Sequence, residues 1–334
     1  MDNLTHTLTG ALLGAALAPE SAERSVPART RIVLAVLATN APDLDLLVAP
    51  FVDPQALLLL HRGLTHSFLL APLWALPLAA IAHLLTRRRH RFRDLWLIAA
   101  FALALHCGLD LLTAYGTEVF APLSDRRVSL PVLFIIDPLV WALLGIGTAL
   151  AWWRRSTAVA GATLLALGGY VVACTLLMLS ASAVAEAKAR ELGPRLHGFA
   201  LPQPLSPLRW KLVAMGRSNI HTAYLDLLPG AAAPEWRKRH RYGEDPALRN
   251  FGRHAWDRPE VEPFRRFALM PQLYAIEQPN PNMLCGWFTD LRFESPLRAS
   301  PFRVGVCHGL LLGTGEVDPE RGWSLASGAA PEPP

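Results

Sequence analysis

Residues 95–115 read LWLIAAFALALHCGLDLLTAY, an apolar run that contains one histidine, His106, and one aspartate, Asp110. The run has the roughly 20 residues that a helix needs to cross the apolar core of a bilayer. A spacing of four residues places His106 and Asp110 on one face of such a helix. Ionisable side chains are costly inside a membrane and are usually functional there. The run therefore predicts a membrane helix that carries part of a functional site.

Apolar runs dominate the first half of the chain. Phe68–Leu85, Val132–Trp153 and Ala158–Ser182 resemble the first run in length, whereas Leu4–Ala18 is short and Arg31–Val52 contains polar residues. The two weaker runs are expected to be either full spans or a re-entrant pair. The mean hydropathy of +0.27 is high for a soluble protein. We therefore predict a polytopic α-helical membrane protein with about six apolar segments.

The arginine residues predict the orientation, because basic clusters flank membrane helices on the cytoplasmic side. With six spans, the clusters Arg24–Arg31, Arg87–Arg93 and Arg154–Arg155 all fall on that side. We therefore expect a multi-pass protein of the cell (inner) membrane, whose C-terminal region lies on the periplasmic or outer side. The formal net charge of +5 does not indicate a nucleic-acid partner, since the basic residues of the first half lie between apolar runs.

Composition changes near residue 185, and charged residues become frequent after it. We predict a membrane-embedded helical domain over 1–185, which carries the metal site, and a soluble β-rich (α+β) domain over 186–334. The predicted strands lie in alternating or β-branched runs: Lys211–Leu227, Arg266–Glu277, Leu284–Phe293 and Phe302–His308. Cys285 and Cys307 fall in these strands. They form either a disulfide, which an oxidising compartment permits, or two buried free thiols.

Histidine and aspartate recur toward the predicted outer end of the apolar segments. The candidate metal ligands are His6, Asp43, Asp45, His61, His66, His106, Asp110 and Asp137. Mixed imidazole and carboxylate ligands suit divalent first-row metals, so one or two ions such as Zn, Mn or Fe are expected. Any single residue of this set could instead hold two helices together by a hydrogen bond, and Asp45 could orient a histidine rather than bind the metal.

A metal-activated water would make such a site a hydrolase, and its place in the membrane favours a lipid or a lipid-linked ester or phosphoester as substrate. Asp43, Asp110 and Arg62 are the expected catalytic residues. Arg62 either holds an anionic substrate oxygen or pairs with an aspartate. The alternative function is a transporter or ion-conducting protein in which the same residues relay protons or metal ions. A third interpretation is a membrane protein with a structural metal.

Several short motifs resemble those of a known family, the YdjM-type inner-membrane proteins, some of which are LexA-regulated. The matching stretches are MDNLTH at 1–6, PDLD at 42–45, HRGLTHS at 61–67, HCGLD at 106–110, YGT at 115–117 and FIIDP at 134–138. The chain departs from the family pattern at Thr113, where Asn is expected. The resemblance covers about the first half of the chain and implies a metal-dependent hydrolase in the membrane.

Overall fold

A computed structural model of the chain describes residues 1–17, 26–295, 300–309 and 323–326. Arg24, which contributes to the predicted orientation, lies outside these ranges. The chain forms two compact units. The first unit is Met1–Met178 with Pro204–Pro207, and the second comprises Leu179–Gln203 and the residues described after Leu208.

The first unit is mainly helical. Its described α-helices are α1 (Asn3–Ala16), α2 (Ala28–Asn40), α3 (Pro54–Leu60), α4 (Ala71–Leu85), α5 (Phe92–Leu111), α6 (Pro138–Arg154) and α7 (Thr157–Leu192), the last of which continues into the second unit. The 3₁₀ helices Pro42–Phe51 and Leu64–His66 interrupt this series. Pro42 lacks the N–H that would continue the hydrogen bonding of α2, so the chain changes direction there.

Six membrane spans are not supported. Within the described residues, α5 and α7 are long and apolar enough to cross a membrane. The number rises to four if each of two bent pairs is one span: Ala28–Asn40 with Pro42–Phe51, bent by 46°, and Pro54–His66 with Ala71–Leu85, bent by 76°. The predicted first and fifth segments become α1 and α6, whose 14 and 17 residues fall short of the roughly 20 that a straight span requires.

Small residues bring α1 and α2 into close contact. A Cβ atom on Gly10 would lie 2.9 Å from the carbonyl oxygen of Ala35, so the two helix backbones approach closely where Gly10 has no side chain. The same holds at Gly14, beside the carbonyl oxygen of Arg31. Close backbone approach at glycine is typical of helix pairs in membranes. The start of α1 is thereby held beside the end of α2, which leads into the segment that carries Asp43.

Within its described residues, the second unit forms two four-stranded sheets, which confirms the predicted β-rich domain. One sheet has the order β1 (His197–Gln203), β2 (Ser206–Met215), β3 (Asn219–Asp226) and β4 (Arg237–His240). The other has the order β5 (Pro271–Asn280), β6 (Met283–Asp290), β7 (Arg303–Gly309) and β8 (Trp323–Leu325). The helices α8 (Arg249–Trp256) and α9 (Glu262–Phe267) lie between the sheets in sequence.

Cys285 and Cys307 form a disulfide. They lie directly opposite each other on β6 and β7, with their Cα atoms 3.9 Å apart. This resolves the choice between a bridge and two free thiols in favour of the bridge. Cys107 and Cys174, both buried in the helical unit, are free.

Candidate metal centre

Three segments of the helical unit bring four ionisable side chains together. Helix α5 supplies His106 and Asp110, which lie one helical turn apart on the same face, as their spacing predicts. The 3₁₀ helix after Pro42 supplies Asp43, and the short 3₁₀ turn Leu64–His66 supplies His66. One ligand atom from each of these four residues lies within 4.8 Å of the others.

The interatomic distances in this cluster are short but mostly too long for good hydrogen bonds. His66 Nε2 lies 3.3 Å from both Asp43 Oδ1 and Asp110 Oδ2. His106 Nε2 lies 3.5 Å from Asp110 Oδ2 and 3.8 Å from Asp43 Oδ1. The side chains of His66, His106 and Asp110 are completely buried, and that of Asp43 is 7% exposed. The four residues therefore converge on one shielded point.

Hydrogen bonds behind the cluster orient its two histidine rings. His106 Nδ1 lies 2.7 Å from the carbonyl oxygen of Thr39. A carbonyl oxygen only accepts, so Nδ1 carries the proton and the lone pair of the neutral ring is on Nε2, which faces the cluster. His66 Nδ1 lies 2.9 Å from the Thr65 hydroxyl, and its Nε2 faces the cluster as well. Such outer contacts are typical of metal-binding histidines.

A second group that could hold an ion is Asp45, His61 and His66. Asp45 Oδ1 lies 2.9 Å from His61 Nδ1, and Asp45 Oδ2 accepts a hydrogen bond of 2.8 Å from the Thr65 hydroxyl. Asp45 Oδ2 also lies 3.5 Å from His66 Nδ1. Both carboxylate oxygens thus contact groups that position the histidines. This arrangement favours the interpretation of Asp45 as an orienting residue.

His6 and Asp137 are the two remaining candidate ligands from the sequence, and they lie at different places relative to the cluster. His6 stacks on His106 with ring centroids 3.9 Å apart, and its Nε2 lies 3.3 Å from Asp110 Oδ1. The buried Met1 amino group also contacts Asp110. Asp137 belongs to neither metal-capable group of the described residues.

Asp137 instead caps helix α6. Its Oδ1 accepts hydrogen bonds from the backbone N–H groups of Leu139 and Val140, and its Oδ2 accepts one of 2.8 Å from the Tyr170 hydroxyl. The expectation that Asp137 is a metal ligand therefore does not match its position. The sequence Asp-Pro at a helix start is a capping signal, and that signal explains its place.

Arg62 is buried beside the cluster and forms an ion pair with Asp110. Its side chain is 2% exposed, and its Nε lies 3.0 Å from Asp110 Oδ2. Its Nη1 donates to Thr113 Oγ1 at 2.9 Å, and its guanidinium lies 4.6 Å from the centre of the Tyr115 ring. The backbone φ of 60° is unusual for a residue with a side chain and turns Arg62 inward. Of the two roles considered for Arg62, this geometry favours the ion pair with an aspartate.

The residues present fit a divalent cation. His106 Nε2 is buried and makes no hydrogen bond within the described part of the chain, whereas Asp110 Oδ2 is paired with Arg62. Unpartnered buried polar atoms are destabilising unless a ligand or ion satisfies them. Two imidazole nitrogens and two carboxylates are the donor set that first-row divalent metals prefer. Thr39, Thr65 and Thr113 contact these residues through hydrogen bonds. The sequence did not predict these contacts, because a threonine hydroxyl or carbonyl beside a histidine or arginine carries no distinct signal.

These features define the chain as a membrane protein whose helices enclose a His/Asp cluster able to hold a metal ion. The chain belongs to the family of YdjM inner membrane proteins, whose family model matches residues 1–181. It is also 27% identical over 262 residues to a Bacillus subtilis (strain 168) protein named "Uncharacterized protein YfhP", covering 75% of this chain and 79% of that protein. No solved structure matches the chain.

Proposed function

We propose that the protein is a membrane-bound, metal-dependent hydrolase in which Asp43, His66, His106 and Asp110 hold a divalent ion such as Zn, Mn or Fe. The observation that carries the proposal is the convergence of four ligand atoms within 4.8 Å, among them the buried His106 Nε2, which makes no hydrogen bond within the described residues. A divalent ion bound to such ligands supplies Lewis acidity and lowers the pKa of a water molecule to about 7.

The protein's own residues have distinct roles in this proposal. Thr39 and Thr65 fix the ring orientations of His106 and His66, so both Nε2 atoms stay directed at the cluster. Arg62 positions Asp110 and balances its charge. Asp43 is the one member of the four with exposed side-chain surface. It is therefore the carboxylate that meets an entering substrate, and it accepts the proton of the attacking water.

The surroundings of Asp43 support a lipid or lipid-linked ester or phosphoester as substrate. Asp43 and Asp45 point inward from the 3₁₀ helix Pro42–Phe51. Large apolar side chains of the same helix point outward: Leu44 is 58% exposed, Leu47 68% and Phe51 86%. Exposed apolar side chains of this density indicate contact with acyl chains. An amphiphilic substrate can then bring its polar group to Asp43 while its chains stay in the bilayer.

The disulfide supports placing the C-terminal domain on the periplasmic or outer side. Disulfides persist in oxidising compartments and are rare in the cytosol. The bridge between Cys285 and Cys307 therefore supports this placement independently of the number of membrane spans.

Metal content and lipid hydrolysis test the proposal together. Wild-type protein purified in detergent is expected to carry a divalent ion, measured by elemental analysis, and His66→Ala and His106→Ala are expected to lose most of it. His83→Ala is the matched control, because His83 lies near the other end of α4 and contacts the carbonyl oxygen of His90. Wild-type metal content in both cluster variants would overturn the site.

Activity is measured on mixed vesicles that contain phospholipids, diacylglycerol esters and isoprenoid phosphates. Release of a product by the wild type and the His83→Ala variant, but not by His106→Ala, is the expected result. A protein that binds the ion and hydrolyses none of these lipids would contradict the hydrolase and favour a structural metal.

A further inference from the structure

The C-terminal unit contains a cavity of about 470 Å³ that is remote in sequence from the His/Asp cluster. Residues of the edge strand β4 line one part of it, and residues of β5, β6 and β7 line another. Ligand sites for small molecules typically measure about 300–1,000 Å³. The cavity therefore has the size of a site for a small organic molecule.

A row of polar side chains crosses the face of the second sheet in this cavity. Gln272, Thr289 and Arg303 lie directly opposite one another on β5, β6 and β7. Residues paired in this way project from the same face of a sheet. Gln272 and Thr289 are only 5% and 7% exposed. Polar side chains in place of the apolar ones that a covered sheet face normally buries indicate a site for a polar ligand.

Arginine residues of β4 face the same space. Arg237 and Arg239 are two residues apart, so both project from one side of the strand. Their cross-strand partners on β3 are Thr222 and Ile220, which are buried. Arg239 Nη1 lies 3.5 Å from Gln272 Oε1, which joins the arginine side of the cavity to the polar row.

The acidic residue deepest in this group is already neutralised. Glu294 Oε1 accepts a hydrogen bond of 2.8 Å from Arg239 Nη1, and Glu294 Oε2 accepts one of 2.6 Å from the buried Lys211 Nζ. The lining has the arginine residues Arg237, Arg239 and Arg303 against the acidic residues Glu244, Asp245 and Glu294, whereas the side chain of Lys238 projects from the opposite side of β4. Lys211 adds a positive charge behind Glu294, which leaves an excess of one positive charge.

We propose that this cavity binds a phosphate group carried by a small organic molecule. A phosphomonoester is negatively charged at neutral pH, opposite in sign to the net charge of this group of residues. Guanidinium groups bind phosphate oxygens through paired, charge-assisted hydrogen bonds. Arg237 and the Nη atoms of Arg303 provide such donors, while Arg303 Nε donates to the carbonyl oxygen of Ser300 at 2.8 Å and fixes the side chain. The volume leaves room for the organic part. The source is either a soluble phosphomonoester or the headgroup of a lipid such as phosphatidic acid.

The test uses the full-length protein with EDTA, so that a metal ion in the helical unit does not contribute. Binding of glycerol phosphate is measured in detergent by calorimetry, and binding of phosphatidic acid by titrating short-chain fluorescent phosphatidic acid, or the matching phosphatidylcholine, into protein reconstituted in phosphatidylcholine vesicles. Arg303→Gln is expected to weaken binding about ten-fold or more, as loss of a hydrogen bond to a charged group does. Arg217→Gln is the matched control, because Arg217 is exposed in the turn after β2 and lies outside the cavity lining.

Arg237→Gln keeps the test decisive if Arg303→Gln does not fold, since the Arg237 side chain is exposed and its loss leaves the sheet intact. Binding of glycerol phosphate that falls in Arg237→Gln and Arg303→Gln but not in Arg217→Gln supports the site with a soluble ligand. The same pattern confined to phosphatidic acid supports it with a lipid headgroup. Binding of neither probe, or equal affinity in all three variants, overturns the proposal.

Discussion

Replacing Arg62 by methionine is expected to destabilise the helical unit, and a divalent ion is expected to reverse much of that effect. The variant removes the guanidinium that lies 3.0 Å from Asp110 Oδ2, and both side chains are almost completely buried. Methionine retains the apolar stem and deletes the charge. Asp110 is then a buried carboxylate without its arginine partner.

The expected magnitude follows from this burial. Removing one partner of a buried ion pair costs about 3–5 kcal/mol. The lower end applies here, because an isolated buried carboxylate can take up a proton and lose its charge. About 3 kcal/mol corresponds to a change of about a hundred-fold in the unfolding equilibrium. In EDTA, the variant should therefore unfold at clearly lower denaturant than the wild type.

A bound divalent ion changes the comparison. It supplies positive charge beside Asp110, and a ligand that binds only the folded state stabilises it by about 2.7 kcal/mol at one hundred times its Kd. The ion replaces the missing charge of Arg62. The difference in the free energy of unfolding between variant and wild type should therefore shrink to about half or less in saturating Zn or Mn. Unfolding in mixed detergent micelles, followed by tryptophan fluorescence with and without the ion, measures both differences.

Arg127→Met is the matched control. Arg127 is also buried, lies 6.0 Å from the centre of the same Tyr115 ring and pairs with an acid, Glu118, at 3.3 Å. Glu118 is not a member of the metal-capable groups among the described residues. The ion should therefore not reduce the destabilisation of Arg127→Met. The assignment of Asp110 as a ligand is refuted if the ion reduces the destabilisation of Arg62→Met and Arg127→Met equally. It is also refuted if the ion reduces the destabilisation of neither variant.

Three further predictions concern the C-terminal domain. The double variant Cys285→Ser/Cys307→Ser should lower its stability by about 3 kcal/mol, the value for closing a loop of this length, and thiol labelling of denatured, unreduced wild type should find two thiols rather than four. A reporter fused after residue 334 should be active in the periplasm, and cytoplasmic activity would contradict the predicted orientation. Burial alone would raise the pKa of Glu294, but the charges and hydrogen bonds of Lys211 and Arg239 outweigh it and hold the pKa below the ordinary value of 4.5. The resulting stability is complete above pH 4.5 and is lost as the pH falls through the lowered pKa, so acid unfolding of Glu294→Gln should be flatter than that of the wild type.

Periodicity and composition predicted the parts of the structure that depend on local sequence. The apolar run 95–115 gives helix α5, and the helical spacing of His106 and Asp110 places both on one face. The alternating runs of the second half give β2, β3, β5, β6 and β7, whereas β1, β4 and β8 were not predicted and the run Arg266–Glu277 begins in α9. The single predicted run Lys211–Leu227 is the hairpin of β2 and β3, which turns at residues 216–218. Turn positions depend on tertiary pairing as well as on residue type, so the hairpin was not resolved from the pattern.

The number of spans was not predictable from hydropathy alone. A run such as Arg31–Val52 has enough apolar residues for one span, but Pro42 divides it into α2 and a 3₁₀ helix that meet at 46°. The bend moves Asp43 toward His66 rather than extending the helix across the bilayer. Asp137 was predicted to be a metal ligand because it is a charged residue next to a membrane segment. Its place directly before Pro138 instead makes it the cap of α6.

Thr113 shows how a departure from the family pattern is accommodated in the site. Its hydroxyl accepts a hydrogen bond from Arg62 Nη1 at 2.9 Å and donates one of 2.8 Å to the carbonyl oxygen of Asp110. An asparagine side chain also has both an acceptor and a donor, so either residue can hold the guanidinium while contacting the end of α5. Because the hydroxyl is short, Arg62 must reach deep into the protein, and its inward-turned backbone and almost complete burial meet that need. The same placement directs Arg62 Nε at Asp110 Oδ2, so in the proposed hydrolase Arg62 acts through Asp110 and does not contact the substrate.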